Sequence, residues 1–156
     1  MFRNLGGARF EAATDRAGRV FELSEVSRGA AFGDVDNDGD TDVLVANAAG
    51  PVRLLLNRVG NGSHWLGLRL VDPALRRDAF GARVEVVRPG GSSLWRRARA
   101  DGSFASANDP RVLVGLGDSP AVSLIRVFWP DGEVEEWTDV PTGRYTTLTQ
   151  GEGRPR

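Results

Sequence analysis

Apolar positions in this chain fall in short runs. Val43-Leu44-Val45-Ala46 is one, and residues 52–56, 66–71, 82–87, 112–116, 122–129 and 145–149 follow. Each is continuous or alternates with a period of two. Glycine and proline punctuate them, 20 Gly and 8 Pro in 156 residues. Strand-sized runs separated by turn residues predict an all-β protein, either sandwich or propeller-like. Trp129-Pro130-Asp131-Gly132-Glu133-Val134 predicts a tight hairpin, because proline presets one turn angle and Asp-Gly accepts positive φ. No stretch sustains a helical period; the best candidate for a short helical turn is residues 72–77.

The texture changes near residue 60. Phe2-Arg3-Asn4-Leu5-Gly6-Gly7 is echoed by Leu56-Asn57-Arg58-Val59-Gly60-Asn61-Gly62. In both, an apolar run ends in Asn and a glycine turn. A period of about 50 residues suits a propeller blade better than a small solenoid repeat. Residues from 64 onward lack this echo. The expected organisation is therefore a partial propeller repeat over 1–60 and a separate β domain over 64–153, with the boundary at Gly60 to Ser63.

Composition narrows the function classes. The length suffices for one ordinary domain or two small ones. The net charge of -1 gives no global attraction to nucleic acid or an anionic membrane. It conceals an asymmetry: taking away the five carboxylates of residues 34–42 leaves +4 on the rest, all positive charge being arginine. With no cysteine there are no disulfides, thiolate zinc sites or thiol nucleophiles. A lone His64 rules out a histidine-rich metal site and disfavours a Ser-His-Asp triad. No apolar run reaches the roughly 18 residues a membrane span needs, and the first residues form no apolar signal segment. Asn61-Gly62-Ser63 fits the glycosylation pattern, which matters only in a secreted eukaryotic protein.

The densest chemistry lies in Asp34-Val35-Asp36-Asn37-Asp38-Gly39-Asp40-Thr41-Asp42. At about 5 Å and an effective dielectric of about 20, each like-charge pair costs on the order of 3 kcal/mol. A hard cation turns that repulsion into coordination. Calcium takes six to eight oxygens, which suits carboxylates and a backbone carbonyl. Asp34, Asp36 and Asp38 stand at positions 1, 3 and 5, and Gly39 permits a sharp turn. Asp40 offers its carbonyl, and Asp42 closes the shell. An EF-hand would need Glu at position 12, where Val45 stands inside an apolar run. The loop is therefore expected between two strands. An Asp-x-Asp phosphatase reading of Asp34 and Asp36 fails, because it needs a parallel α/β sheet and a downstream lysine.

Gly29-Ala30-Ala31-Phe32-Gly33 together with this loop and Val43-Leu44-Val45-Ala46-Asn47 resembles an FG-GAP/VCBS repeat, the calcium-binding propeller blade. His64-Trp65-Leu66-Gly67-Leu68-Arg69-Leu70, Arg77-Asp78-Ala79-Phe80-Gly81-Ala82-Arg83-Val84, Asp109-Pro110-Arg111-Val112-Leu113-Val114-Gly115-Leu116-Gly117 and Val127-Phe128-Trp129-Pro130-Asp131-Gly132 resemble the ASPIC/UnbV module of cartilage acidic protein-like chains. The resemblance implies calcium at Asp34, Asp36, Asp38, Asp40 and Asp42. It implies an extracellular, cell-surface or periplasmic location and a non-enzymatic role in adhesion or ligand binding. It also implies a ring of about seven blades, whereas one blade and part of another are present, so a fragment of a larger propeller is expected. The blade should pack on a small antiparallel β-sandwich or barrel-like domain. Expected partners are a protein or glycan ligand, the missing blades, or a second copy, with neither nucleic acid nor membrane insertion. The competing reading is a metal-dependent hydrolase of glycans or phosphoesters using the same loop.

Other constellations have plainer readings. Arg96-Arg97-Ala98-Arg99 beside Trp95 is an anion or glycan patch or a solvated strand face, with Trp95, Arg97 and Arg99 on one side and Arg96 on the other. Residues 101–109, with Phe104 embedded, are a ligand-contacting loop or a connection tied by its own side chains. Trp65, Trp129 and Trp137 line a sugar site or pack in the core and rim. Asp72 and Asp78 lack a partner base or nucleophile, so no catalytic residue is assigned.

Overall fold

A computed structural model describes residues 2–59 and 62–156. Its strands, in chain order, are β1 (Phe2–Gly6), β2 (Arg9–Ala12), β3 (Ser27–Gly33), β4 (Asp42–Asn47), β5 (Arg53–Leu55), β6 (His64–Asp72), β7 (Arg77–Asp78), β8 (Arg83–Val87), β9 (Ser93–Arg97), β10 (Val112–Gly117), β11 (Leu124–Phe128), β12 (Val134–Trp137), β13 (Tyr145–Thr149) and β14 (Arg154–Pro155). Within the described residues, helical structure is limited to short 3₁₀ pieces, Thr14–Arg16 and Arg19–Glu22 among them. The protein is all-β. Of the expected boundary and glycosylation motif, Gly60 and Asn61 lie outside the described residues, as does Met1.

Two sheets build the larger part. One has the order β10-β6-β13, with β7 paired to β6; the other runs β14-β12-β11-β8-β9. Period-2 alternation decides what lies between them. Leu66, Leu68 and Leu70 of β6 meet Val112, Val114 and Leu116 of β10 and Leu148 of β13; Val84, Val86, Ile125 and Val127 come from the second sheet. These form one buried core, so the domain is a sandwich, and no sheet closes into a barrel. Trp129 is 3% exposed and meets Trp137 edge-on at 6.2 Å, which makes both packing residues. The Trp129 indole N–H is satisfied by buried Glu135 at 2.8 Å, as a buried polar group requires.

The expected hairpin joins β11 to β12. The Trp129 N–H donates to the Glu133 carbonyl and the Gly132 N–H to the Trp129 carbonyl, with Gly132 at φ 100°. The helical turn expected over 72–77 is instead the tip of the β6–β7 hairpin. The Asp72 carboxylate accepts the N–H groups of Ala74 and Leu75, and Arg76 adopts φ 51°. An aspartate that caps its own turn outcompetes helix at so short a span. β13 runs parallel to β6, Tyr145 opposite Gly67 and Leu148 opposite Leu70.

Between residues 2 and 55 lie two smaller sheets, the β1–β2 hairpin and the antiparallel order β3-β4-β5. Glu25 pins the second, pairing with Arg53 at 2.7 Å and accepting from Asn47. Its carboxyl is held below the usual range, chiefly by the Arg53 hydrogen bond. Apolar side chains stay open here: Phe2 is 74% exposed, Phe10 63% and Leu54 48%.

Candidate metal centre

The antiparallel β3–β4 pair closes with Gly33 opposite Asp42, and the acidic loop is the connection between them. Five carboxylates in so short a span need donors as well as a cation, and the backbone supplies some. The Asp34 carboxylate accepts the Asp38 and Gly39 N–H groups, each at 3.0 Å. Asp42 accepts the N–H of Val35 at 2.9 Å and of Asn57 at 2.8 Å. Asp38 accepts the Asp40 N–H at 3.0 Å. Positive φ at Asn37 (61°) and Gly39 (93°) wraps the chain around Asp34. Asp34, Asp40 and Asp42 are buried, at most 5% exposed.

Carboxylate oxygens of Asp34, Asp36 and Asp42 lie within 4.8 Å of one another. Asp38 and Asp40 are outside that convergent group. The donor set is oxygen alone, the preference of a hard cation, and an ionised carboxylate offers about four lone-pair sites. The backbone bonds to Asp34 and Asp42 therefore leave coordination capacity. The Asp36 carboxyl is raised above its ordinary value, first by partial desolvation and then by the charges of Asp38 and Asp42. A hollow of about 400 Å³ opens beside the loop, walled by Phe32, Val35 and Leu44 on one side and by Asp109 and Arg111 on the other.

Arg111 reaches out of the sandwich into this loop. Its guanidinium donates to the Asp34 carbonyl at 2.8 Å and to Asn37 Oδ1 at 2.7 Å. It also pairs with Asp109 at 2.6 Å and stacks over the Tyr145 ring at 3.8 Å. The Tyr145 hydroxyl donates to Asp34 Oδ2 at 3.0 Å. Tyr145 sits on the outer face of its sheet over Gly67, where any added Cβ would collide with the ring. Trp65, on the same face, lies against Gly39 in the same way, and its ring stands 5.3 Å from that of Tyr145.

Residues 101–109 grip the neighbouring strand. The Asp109 N–H donates to the Phe32 carbonyl at 2.9 Å, and the Phe32 N–H donates to Asn108 Oδ1 at 3.0 Å. Gly29 and Gly33 lie against Ser106 and Asp109 respectively. Asn108 also donates to the Asp101 carbonyl at 2.9 Å and the Ser106 hydroxyl to the Phe104 carbonyl at 3.0 Å. This segment is a connection tied by its own side chains that seats β3, while Phe104 points to solvent, 77% exposed.

The family described as ASPIC and UnbV matches residues 72–155, more than half of the 156-residue chain. The chain belongs to this family. No curated protein matches the chain. Asp109, Arg111 and Tyr145, which hold the acidic loop, lie inside the ASPIC and UnbV match; the loop and Trp65 precede it. β6, the middle strand of its sheet, begins at His64, ahead of the first matched residue.

The other flagged residues are placed as follows. Asp78 pairs with Arg69 at 2.7 Å and Asp72 caps its turn, so the two serve structure. Trp95 and Arg97 stand on the outer face of β9, and Arg99 lies beyond the strand end. Arg111 and Tyr145 received no role from sequence alone. The available signals were a glycine, Gly67, inside an apolar run and the single tyrosine of the chain.

Burial pushes the Tyr145 hydroxyl up, and its bond to Asp34 and that carboxylate's charge push it further. A raised value in the folded state means that the contact stabilises fully below the ordinary tyrosine pKa of about 10 and is lost as pH climbs through the raised one. With one tyrosine, tyrosinate absorbance reads this joint directly. In chelator, the folded protein should ionise well above pH of about 10, and Asp34→Asn should bring the transition down towards it. An ordinary titration in the unaltered protein would show the contact to be absent.

Proposed function

We propose that the chain is a calcium-binding, non-enzymatic β module of an exported protein, working in adhesion or in binding a protein or glycan ligand. The observation that carries the cation is the convergence of Asp34, Asp36 and Asp42 within 4.8 Å. Asp38 and the Asp40 carbonyl would complete an all-oxygen shell for an ion that takes six to eight ligands. The metal's part is structural: it neutralises the loop and stiffens a joint already gripped by Arg111 and Tyr145. The side chains that reach the loop from the sandwich, Arg111 and Tyr145, are engaged in holding Asp34 and Asn37, which supports a structural part for the metal.

The three-stranded sheet and the β1–β2 hairpin support a propeller reading. Their apolar side chains and outer strand edges are open, and such surfaces call for a neighbour. Further blades of the same kind are the natural cover. No helix among the described residues is long and apolar enough to cross a membrane. An exported setting, where calcium is plentiful, suits a loop with weak to moderate affinity.

Calorimetric titration tests the cation. Calcium should bind with one site per chain and magnesium more weakly, because Mg²⁺ demands a stricter octahedron and sheds water reluctantly. No heat with either ion, or magnesium binding tighter, would remove the calcium reading.

A further inference from the structure

The outer face of the second sheet carries matched charges at one end and unmatched ones at the other. At the matched end, Arg126 is forked between Glu85 and Glu136, and the Ser93 hydroxyl donates to Glu85 at 2.8 Å. At the other end Arg83 stands directly opposite Arg97 across the β8–β9 ladder. Like charges in that position repel, yet neither forms an ion pair among the described residues. Arg83 leans instead over the Phe128 ring, 5.3 Å from its centre. Trp95 lies beside the same ring, with centres 5.4 Å apart and planes inclined by 33°, and is 48% exposed. Beyond Arg97 the surface dips into a hollow of about 250 Å³ whose wall includes Phe80 and Arg99.

We infer that this ledge binds an anionic polysaccharide, with Arg83 and Arg97 on its sulfate or carboxylate groups and Trp95 against a sugar face. The guanidinium fork matches such oxyanions in a bidentate way, and bound anions would relieve the Arg83–Arg97 repulsion. The half-exposed indole offers an apolar platform with a polar edge. The hollow past Arg97 extends the track for a linear chain, with Arg99, which faces Asp101 across an exposed 3.7 Å pair, as the next cation. A single-stranded nucleic acid fits less well: it calls for several rings on which successive bases stack, while on this ledge Arg83 covers the Phe128 ring and leaves Trp95 as the platform. This deepens the binding role proposed above but involves the opposite side of the sandwich from the acidic loop, so it stands or falls separately from calcium.

The test uses the full chain and fluorescence anisotropy with a labelled heparin oligosaccharide, a neutral dextran oligosaccharide and a single-stranded oligothymidine, each with calcium and with chelator. Heparin should bind, dextran and oligothymidine should bind at least about tenfold more weakly, and chelation should leave heparin binding intact. Arg83→Gln/Arg97→Gln should weaken heparin binding by about tenfold and Trp95→Ala by several-fold. Arg9→Gln/Arg19→Gln, an equal change of net charge at exposed sites elsewhere, should leave it within about twofold. Circular dichroism and melting identify any variant that fails to fold, and Arg83→Lys/Arg97→Lys then serves in its place, keeping charge but losing the fork. The proposal is overturned if heparin does not bind, if oligothymidine binds as tightly, if the remote pair weakens binding as much as the ledge pair, or if Trp95→Ala has no effect.

Discussion

Arg111→Leu should destabilise the protein by about 2–3 kcal/mol, the range for losing charge-assisted hydrogen bonds and stranding a partly buried partner. One guanidinium bonds the Asp34 carbonyl and Asn37, pairs with Asp109 and covers the Tyr145 ring. Leucine keeps some of the apolar contact with Tyr145 but leaves Asp109, whose side chain is 20% exposed, without its cation. The acidic loop loses an arginine that bonds both the Asp34 carbonyl and Asn37. For a chain of this size the loss corresponds to a fall in melting temperature of about 4–12 °C. Arg111→Lys should recover little, because an ammonium cannot reach three oxygens and stack flat at once. A melting temperature unchanged in Arg111→Leu would mean that the loop and the sandwich do not hold each other.

Gly39→Ala should be the most damaging small substitution in the loop, because two costs coincide. The residue sits at φ 93°, where a side chain brings strain of about 1–3 kcal/mol. Its new methyl would also be driven into the Trp65 indole, the part of the sandwich on which the loop rests. Gly132→Ala is the control. It has a similar φ of 100°, with nothing within 4 Å of the added carbon, so it isolates backbone strain. Gly39→Ala should lose clearly more stability than Gly132→Ala and bind calcium at least about tenfold more weakly, a difference of 1.4 kcal/mol. Equal losses and unaltered calcium binding would remove Trp65 as the seat.

What could be read from the chain follows from the range of the interactions involved. Strands declare themselves locally: alternation along residues 66–71 and 112–116 is the burial pattern of β6 and β10. The Pro-Asp-Gly turn is equally local. The loop's cation chemistry was visible because five carboxylates crowd into nine residues, yet the sequence ranks all five alike, whereas the fold draws together the oxygens of Asp34, Asp36 and Asp42. The grip of Arg111 and Tyr145 was hidden because those residues lie 77 and 111 positions from Asp34. No local pattern encodes a contact at that separation, nor the parallel pairing of β13 with β6. The turn at residues 72–77 was misread for another reason. Its composition tolerates helix, and only the Asp72 bonds to Ala74 and Leu75 decide for a hairpin.

The raised Asp36 carboxyl sharpens the central claim. An acid whose pKa is raised on folding is disfavoured in its charged form, so at neutral pH and without a cation Asp36 costs the fold stability. That stability returns as pH falls through the raised value. A calcium ion reverses the sign, because the same charge becomes a ligand. The decisive measurement is therefore the melting temperature of the unaltered protein and of Asp36→Asn, each in chelator and in calcium. In chelator, Asp36→Asn should melt at or above the unaltered protein. Calcium at a hundred times its dissociation constant should stabilise the unaltered protein by about 2.7 kcal/mol, a rise of about 5–11 °C, and should move Asp36→Asn far less. No calcium shift in the unaltered protein, or an equal shift in both, would contradict a cation held by Asp34, Asp36 and Asp42.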